Sequence, residues 1–379
     1  MTFLDQSHRQ TPTGWRKILH MNWALTLLLG TIASTGFLML YSVAGGSLDP
    51  WAQRQMVRFG MGVAAMLIVG YIHIRFWRSI APLAYIGGIA LLVVVEFFGS
   101  VGKGAQRWID LGFMQLQPSE LMKIALVMAL ALYYDWLDPK KVSHPVWLIA
   151  PVALTLLPMA LVLKQPDLGT AILLGAGAAV VMFMAGVSIW YFAAAAGGAV
   201  GVVTLVMKSR GTPWQILEDY QYGRIETFLD PARDPLGAGY HITQSKIALG
   251  SGGLTGRGFM EGTQTRLNFL PEKQTDFIFT TLAEEFGFVG SVTLLGLYAL
   301  VVLFCMVSAM RNRDRFGSLL TAGIAATFFF FFAVNMAMVM GLIPVVGVPL
   351  PLVSYGGSAM LVLMAAFGLV QSAHVHRPR

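Results

Sequence analysis

The residues best suited to chemistry are charged side chains that lie inside apolar segments or at their outward ends. They are Arg107, Glu120, Lys123, Asp167, Asp276, Glu284 and Glu285. A charge in such a position is costly, so it usually has a function or a partner. A carboxylate can act as a general base, and a guanidinium or ammonium group can stabilise phosphate. The plainer alternatives are an acid that complements a helix dipole and an ion pair that fixes helix packing.

Asp276 lies in the stretch FLPEKQTDFIF, residues 269–279, where a long loop enters an apolar segment. Its position is equally compatible with a helix-dipole role and with a chemical role. Asp276, Thr280 and Glu284 are four residues apart and therefore share one face of a helix. An outward helix face with two carboxylates predicts a polar cavity, because lipid would not tolerate it.

The other charges also have two interpretations each. Glu120 and Lys123 open an apolar segment as an i, i+3 pair, and an ion pair that fixes packing is favoured over direct catalysis. Asp167 follows a proline at a helix start, where a capping role and a cavity role are equally compatible. Arg107, next to Trp108, is either a lipid-headgroup anchor or a clamp for pyrophosphate.

Long apolar segments must position these side chains. Of 379 residues, 56% are hydrophobic and 12% are charged, which is too little charge to cover a soluble protein. Helices satisfy their own backbone groups in a hydrocarbon layer of roughly 30 Å, so the predicted fold is an all-α polytopic membrane protein with about ten transmembrane helices. The predicted spans are residues 22–43, 55–73, 77–98, 119–135, 146–163, 168–186, 188–207, 277–309, 317–340 and 355–374.

Basic residues indicate the orientation of these spans. Every second connection is rich in Lys and Arg, which is the positive-inside pattern and requires an even number of spans. The expected parts are a cytoplasmic segment 1–21, a membrane domain 22–374 and a cytoplasmic tail 375–379. The net charge of +7 is explained by this topology, so no nucleic-acid partner is predicted.

Two segments interrupt the pattern of spans. A large outward loop, 208–275, lies between spans seven and eight, and its aromatic and aliphatic residues predict interfacial helices. Within it, a helical stretch at 240–249 runs into the glycine-rich stretch 250–258, whose N–H groups could face a phosphate. Residues 341–357 contain three prolines and cannot form a continuous helix. The chain lacks the spacing of a nucleotide-binding P-loop or a GxSxG elbow.

Six motifs, in this order, resemble the SEDS family, named for shape, elongation, division and sporulation. They are GAQRWI at 104–109, QPSELMK at 117–123, QPDLGT at 165–170, QS with GSGG at 244–253, FLPE through Asp276, and PLVSYGGS at 351–358. The resemblance covers about residues 22–374. The stretch 347–353 resembles the elongation branch of the family rather than the division branch.

The resemblance implies a peptidoglycan glycosyltransferase of the bacterial cytoplasmic membrane that polymerises lipid II on the outer face during elongation and rod-shape maintenance. It implies a class B penicillin-binding protein as transpeptidase partner, together with the nascent glycan strand, membrane lipids and other elongation-complex proteins. The family's essential carboxylate corresponds to Asp276, its intramembrane acid–lysine pair to Glu120 and Lys123, and its other cavity acid to Asp167.

The predicted reaction is an inverting glycosyl transfer with Asp276 as general base on the acceptor's sugar 4-hydroxyl. The pyrophosphate leaving group needs charge stabilisation, and a divalent cation, Mg²⁺ or Mn²⁺, is left open. The candidates for this stabilisation are Arg107, Lys123, Arg224 and Lys246. The remaining predicted substrate-binding or cavity residues are Glu120, Asp167, Gln244, Ser245, Glu284, Glu285 and Ser354.

Two other functions remain open. A lipid II flippase or transporter would also need polar residues in a membrane cavity, but the candidate acids concentrate on the outward side and no inverted repeat is visible. A non-catalytic scaffold of the elongation complex would leave the predicted cavity at Asp276 unexplained.

Overall fold

The computed structural model describes residues 14, 16–102, 105–110, 112, 115–215, 222, 238–267, 269 and 272–377. Its helices are α1 Arg16–Leu19, α2 Trp23–Val43, α3 Ala52–Tyr71, α4 Ile74–Phe98, α5 Pro118–Trp136, α6 Pro145–Lys164, α7 Leu168–Ala185, α8 Ile189–Ser209, α9 Ala238–Ser251, α10 Thr263–Arg266, α11 Ile278–Met310, α12 Arg315–Val339 and α13 Ser358–Val375, with a 3₁₀ turn at Pro139–Lys141. A long helix occupies each of the predicted span positions.

The apolar composition of the long helices fits a bilayer. Within the described part of the chain, eight helices are long and apolar enough to cross a membrane: α2, α4, α6, α7, α8, α11, α12 and α13. Two more helices are of similar length but carry charges. The helix α3, with 20 residues, contains Arg54 and Arg58, and α5, with 19 residues, contains Glu120 and Lys123. The all-helical membrane fold is confirmed, and the count of ten spans stays a prediction.

The helices α12 and α13 form the centre of the bundle. Buried residues make up 67% and 72% of their most apolar stretches, compared with 0% for α8, which lies at the outside. Along α3 and α13 the backbones approach closely: a Cβ at Gly368 would lie 2.7 Å from Val69 Cβ. Small residues permit such close packing of membrane helices.

A small antiparallel sheet between α4 and α5 was not expected from the sequence. It consists of β1 Ser100–Gly102, β2 Ala105–Asp110 and β3 Gln115–Leu116, in the order β1-β2-β3. Strand β2 carries Arg107, so the sheet determines where this side chain reaches.

The glycine-rich stretch packs, backbone against backbone, on a break in α11. Gly287 interrupts α11 with φ +64° and ψ −158°. The N–H groups of Arg257 and Gly258 donate to the carbonyls of Glu284 and Glu285 at 3.0 and 3.1 Å. A Cβ at Gly256 would collide with the Glu285 carbonyl. The N–H groups of Arg257 and Gly258 are therefore used within the protein and do not face a phosphate.

Residues 341–357 connect α12 to α13 without forming a helix, as predicted. Leu350 and Val353 are 1% and 0% exposed, so the second half of this segment lies inside the protein, whereas Leu342 near its start is exposed. Tyr298 on α11 donates its hydroxyl hydrogen to the Pro351 carbonyl, and Gln55 on α3 donates to the Ser354 carbonyl at 2.9 Å. Non-helical backbone at membrane depth needs such enclosure and such donors.

The large loop is described in part. The helix α9 lies where the stretch 240–249 predicts one, and it extends the prediction at both ends. The predicted interfacial helices over 214–228 fall mostly outside the described residues, as does Arg224.

Candidate active site

Asp276 lies directly before α11, on a floor formed by the 341–357 segment. The carboxylate is half-buried, and its Oδ2 is 3.7 Å from the position that a Cβ at Gly347 would take. Gly347 has φ +68°, so glycine provides both the turn and the open space. The N-cap of α11 is Phe277, so Asp276 does not occupy the capping position. The carboxylate is thus presented at a helix entrance above bare backbone.

Lys273 lies three residues before Asp276 in the loop that leads to α11. Lys273 Nζ donates to the Thr265 carbonyl at 2.9 Å. Burial lowers the pKa of Lys273, because a charged ammonium group loses hydration when it is covered. This contact fastens the 272–277 segment to α10.

Glu120 and Lys123 form a buried ion pair in the first turns of α5. The distance between Lys123 Nζ and Glu120 Oε1 is 2.7 Å, and the two residues are 4% and 7% exposed. Lys123 Nζ also lies 3.7 Å from the centroid of the Phe331 ring on α12, a cation–π contact. The pair lines a cavity of ≈ 60 Å³, together with Gln55 and Ser354. Such a volume has room for a few water molecules.

Asp167 is the N-cap of α7. Its Oδ1 accepts from the Thr170 N–H at 3.1 Å and its Oδ2 accepts from the Thr170 hydroxyl at 2.9 Å. Gln117 Nε2 donates to the same Oδ2 at 3.2 Å. The capping interpretation is therefore the one that the hydrogen bonds support.

Arg107 fastens the small sheet to the turn between α6 and α7. Its Nε donates to the Gln165 carbonyl at 2.8 Å, and its Nη2 donates to the Pro166 carbonyl. Its Nη1 lies 3.8 Å from Asp167 Oδ2. Two of the three guanidinium nitrogens thus donate to backbone carbonyls, which assigns Arg107 a structural role, and the pyrophosphate clamp stays a prediction.

Glu284 and Glu285 do not share a cavity with Asp276, which corrects the expectation from helix periodicity. They are 0% and 2% exposed. Glu284 Oε1 accepts from the Thr263 hydroxyl and the Gln264 N–H at 2.9 and 3.0 Å, and Glu285 Oε1 accepts from the Ser42 hydroxyl. The face is covered because the loop between α9 and α10 packs onto the start of α11.

Of the candidate site residues on α9, one is buried in the protein and the other two are partly or fully exposed. Ser245 is 0% exposed and donates to the Val339 carbonyl at 2.7 Å, which fastens α9 to the end of α12. Gln244 is half-buried and Lys246 is exposed. The Lys246 side chain covers Gly341, where a Cβ would collide with it.

Sequence reasoning missed several polar residues inside the spans. Arg54 and Arg58 of α3 line an open groove of ≈ 380 Å³. The guanidinium carbon of Arg58 lies 4.8 Å from the centroid of the Tyr355 ring, and its buried Nη1 has no hydrogen-bond partner among the described residues. Asn335 on α12 and Gln55 on α3 donate to backbone carbonyls near Asp276. For Arg54 and Arg58 the signal was a charge within or at the end of an apolar segment, whereas the two amide side chains carry no charge to mark them.

A metal site does not emerge from the side chains alone. Among the described residues, no group of three or more His, Cys, Asp or Glu side chains could hold a metal ion. The divalent cation left open by the sequence stays a prediction.

Comparison with known proteins identifies the family to which this chain is similar. The sequence model of the FtsW/RodA/SpoVE cell cycle proteins matches residues 16–379. The chain is 44% identical over 368 residues to the peptidoglycan glycosyltransferase MrdB of Escherichia coli K12, which covers 96% of both chains. It is 33% identical over 433 residues to the peptidoglycan glycosyltransferase RodA of Treponema pallidum, covering 96% of this chain and 99% of the relative.

Solved structures agree with this similarity. A chain of a peptidoglycan synthase complex, studied for the coordination of polymerization and crosslinking, is 33% identical with a TM-score of 0.80, covering 94% of this chain and 98% of that one. The rod shape determining protein RodA of Thermus thermophilus is 30% identical with a TM-score of 0.69, covering 95% and 98%. This bacterial membrane protein therefore belongs to the FtsW/RodA/SpoVE family of cell cycle proteins.

Proposed function

We propose that this chain is a peptidoglycan glycosyltransferase that polymerises lipid II during cell elongation, the activity carried in the names of its relatives. The observation that carries the proposal is the half-buried carboxylate of Asp276 above the backbone of Gly347. A general base must reach a substrate hydroxyl, and this carboxylate lies at a helix entrance rather than in a capping position.

The reaction is an inverting displacement. The sugar 4-hydroxyl of the acceptor attacks the anomeric carbon of the donor glycan, Asp276 takes the hydroxyl proton, and the polyprenyl pyrophosphate leaves with the electrons of the broken bond. A positioned general base contributes about 10²- to 10⁴-fold to such a rate. Because pyrophosphate leaves as an anion, the leaving group needs positive charge more than it needs a proton.

Arg54 and Arg58 are the better candidates for that positive charge. Lys123 is paired with Glu120 at 2.7 Å, and Arg107 is bound to backbone carbonyls. Arg58 instead stacks on Tyr355 and lines an open groove with Arg54. Guanidinium groups bind phosphate through two parallel hydrogen bonds, which suits a pyrophosphate.

The chemistry belongs on the outer face of the cytoplasmic membrane, with both chain ends in the cytoplasm. The basic connections follow every second span, and Asp276, Arg54 and Glu120 lie at the opposite helix ends in a ten-span order. Residues 22–374 form the membrane domain, 208–275 the outer loop, and 1–21 and 375–379 the cytoplasmic ends. A class B penicillin-binding protein is the proposed partner, supported by the likeness to a chain of a synthase complex.

The deciding experiment is polymerisation of purified lipid II by the full chain with its partner. Asp276→Asn should lose about 100-fold or more in rate, since it removes the base but keeps the shape. Asp110→Asn is the control, because Asp110 is an exposed acid at the end of strand β2. Polymer formation by Asp276→Asn at the wild-type rate would refute the role of Asp276.

The two alternative functions give other results in the same preparation. A scaffold would yield no glycan polymer on gels with any variant of this chain, whereas the partner's transpeptidase would still depend on its presence. A flippase would move the lipid II headgroup across the liposome membrane and would form no glycan polymer. Headgroup movement in the absence of polymer identifies it, whatever effect Asp276→Asn has on the movement.

A further inference from the structure

We infer that Asn335 and Ser354 are positioning residues, which fix the backbone that carries Asp276 at the site of the proposed glycosyl transfer. The inference rests on the proposed function, because it assigns these two residues a role in aiming the proposed base. Asn335 had no role predicted from the sequence, and Ser354 was predicted to bind substrate.

The backbone before α11 is bound at three consecutive carbonyl oxygens. In chain order, the carbonyls of residues 274–276 accept from the N–H of Tyr355 at 2.8 Å, from Oγ of Ser354 at 2.6 Å and from Nδ2 of Asn335 at 2.9 Å. All three donors lie on α12 or on the segment that follows it. The last three carbonyls of this non-helical stretch, up to and including that of Asp276, are thus fixed.

Asn335 joins the two non-helical segments of the site. It is 0% exposed, and its Nδ2 donates both to the Asp276 carbonyl and, at 2.7 Å, to the Val348 carbonyl. Val348 follows Gly347, the residue beneath the carboxylate. One amide group therefore fixes Asp276 relative to its own floor.

Ser354 has its hydroxyl fully used inside the protein. Oγ donates to the Thr275 carbonyl and accepts from the Leu350 N–H at 2.7 Å, and the residue is 4% exposed. Its carbonyl accepts from Gln55 Nε2 of α3 at 2.9 Å. The hydroxyl is therefore unsuited to binding a sugar. It connects the Thr275 carbonyl, next to Asp276, to a residue that α3 holds in place through Gln55.

The consequence for catalysis is geometric. A general base acts when it is within hydrogen-bond reach of the proton it removes, and a misplacement of about 1 Å can cost about 10²-fold in rate. Loss of either donor would release the backbone at Asp276 without removing the carboxylate or changing a charge. The turnover number kcat should therefore fall, while the KM for lipid II should change little.

The test compares Ser354→Ala and Asn335→Leu with a matched control, Ser372→Ala. Ser372 is likewise on the 341–375 part of the chain, is 0% exposed and donates to a backbone carbonyl, that of Ile72, at 2.7 Å, but at the opposite end of α13. With partner present, we expect kcat to fall about 10- to 100-fold for the first two variants, with KM within about 2-fold, and to stay within about 2-fold for Ser372→Ala.

Melting temperatures separate positioning from general destabilisation. The proposal is overturned if Ser354→Ala keeps the wild-type kcat, or if Ser372→Ala with an equal loss of melting temperature loses as much kcat. If Asn335→Leu does not fold, Ser354→Ala and its control decide alone. A separate result, full activity of Asp276→Asn, would refute the proposed function rather than the positioning. In the Asp276→Asn background, Ser354→Ala should cause no further loss of residual activity.

Discussion

Removal of the charges of Glu120 and Lys123, separately and together, tests whether this ion pair stabilises the bundle or takes part in the reaction. The two charged groups are 2.7 Å apart, and Glu120 and Lys123 as whole residues are 7% and 4% exposed. Removal of one partner from a buried pair leaves an uncompensated charge, at a cost of about 3–5 kcal/mol. Glu120→Gln and Lys123→Met should each lower stability by that amount, which corresponds to roughly 5 °C in melting temperature.

The double variant Glu120→Gln/Lys123→Met should lose far less stability than the sum of the losses in the two single variants. With both charges gone, no buried charge lacks a partner, and replacement of a buried pair by apolar groups is often neutral. We expect stability within about 1 kcal/mol of the wild type, and therefore a coupling energy of at least about 5 kcal/mol between the sites. Thermal unfolding of the purified protein in detergent, followed by circular dichroism, measures it.

A second ion pair in the same protein provides the control. Lys164 Nζ and Glu96 Oε1 are 3.7 Å apart, and the lysine side chain is 67% exposed. Lys164→Met should therefore cost less than about 1 kcal/mol. Additive losses at Glu120 and Lys123 would refute the reasoning, because they would mean that the two charges do not compensate each other. A stable but inactive double variant would assign the pair to the reaction, and a stable, active one would assign it to packing.

Three further predictions follow from other parts of the molecule. Gly256→Ala forces a Cβ against the backbone of α11, so we expect a loss of about 2 kcal/mol or more in thermal unfolding, whereas a phosphate-binding role would leave stability unchanged. Arg58→Gln should raise the KM for lipid II by about tenfold, and Arg311→Gln, at the opposite helix ends, should leave it unchanged. His376, 4.4 Å from the His73 ring, has its pKa lowered to about 4 by burial. The folded protein therefore resists protonation that the unfolded chain accepts, stability falls as the pH drops from about 6.5 to 4, and His376→Phe should flatten that melting-temperature profile.

The helices could be predicted because the bilayer constrains both their length and their composition. The predicted span 146–163 corresponds to α6, Pro145–Lys164, and the predicted 188–207 to α8, Ile189–Ser209. Each is an apolar run whose ends are marked by polar residues, so the information is local. The break in α11 at Gly287 could not be predicted in this way, because it depends on the glycine-rich loop that packs there from 30 residues earlier in the chain.

Within the candidate site, the sequence identified charges but not geometry. Glu120 and Asp167 stood out because acids are rare in apolar segments. Helix periodicity assigned Glu284 to the face of Asp276, but a periodic pattern cannot tell a cavity from a face that a loop of the same protein covers. Asn335 carries no charge and binds a carbonyl 59 residues away in sequence, so neither rarity nor spacing revealed it.

The location of Asp276 follows from how a membrane protein can present a carboxylate at all. A helix satisfies its own carbonyls but leaves side chains facing lipid or neighbouring helices, whereas a non-helical stretch can present a side chain to a cleft and then needs external donors. Here the donors are the Asn335 amide, the Ser354 hydroxyl and the Tyr355 N–H, all of them neutral. A lysine or arginine in their place would fix the backbone equally well, but it would pair with the carboxylate and compete with the substrate proton. Neutral donors therefore fix the backbone that carries Asp276 without placing a further charge beside its carboxylate.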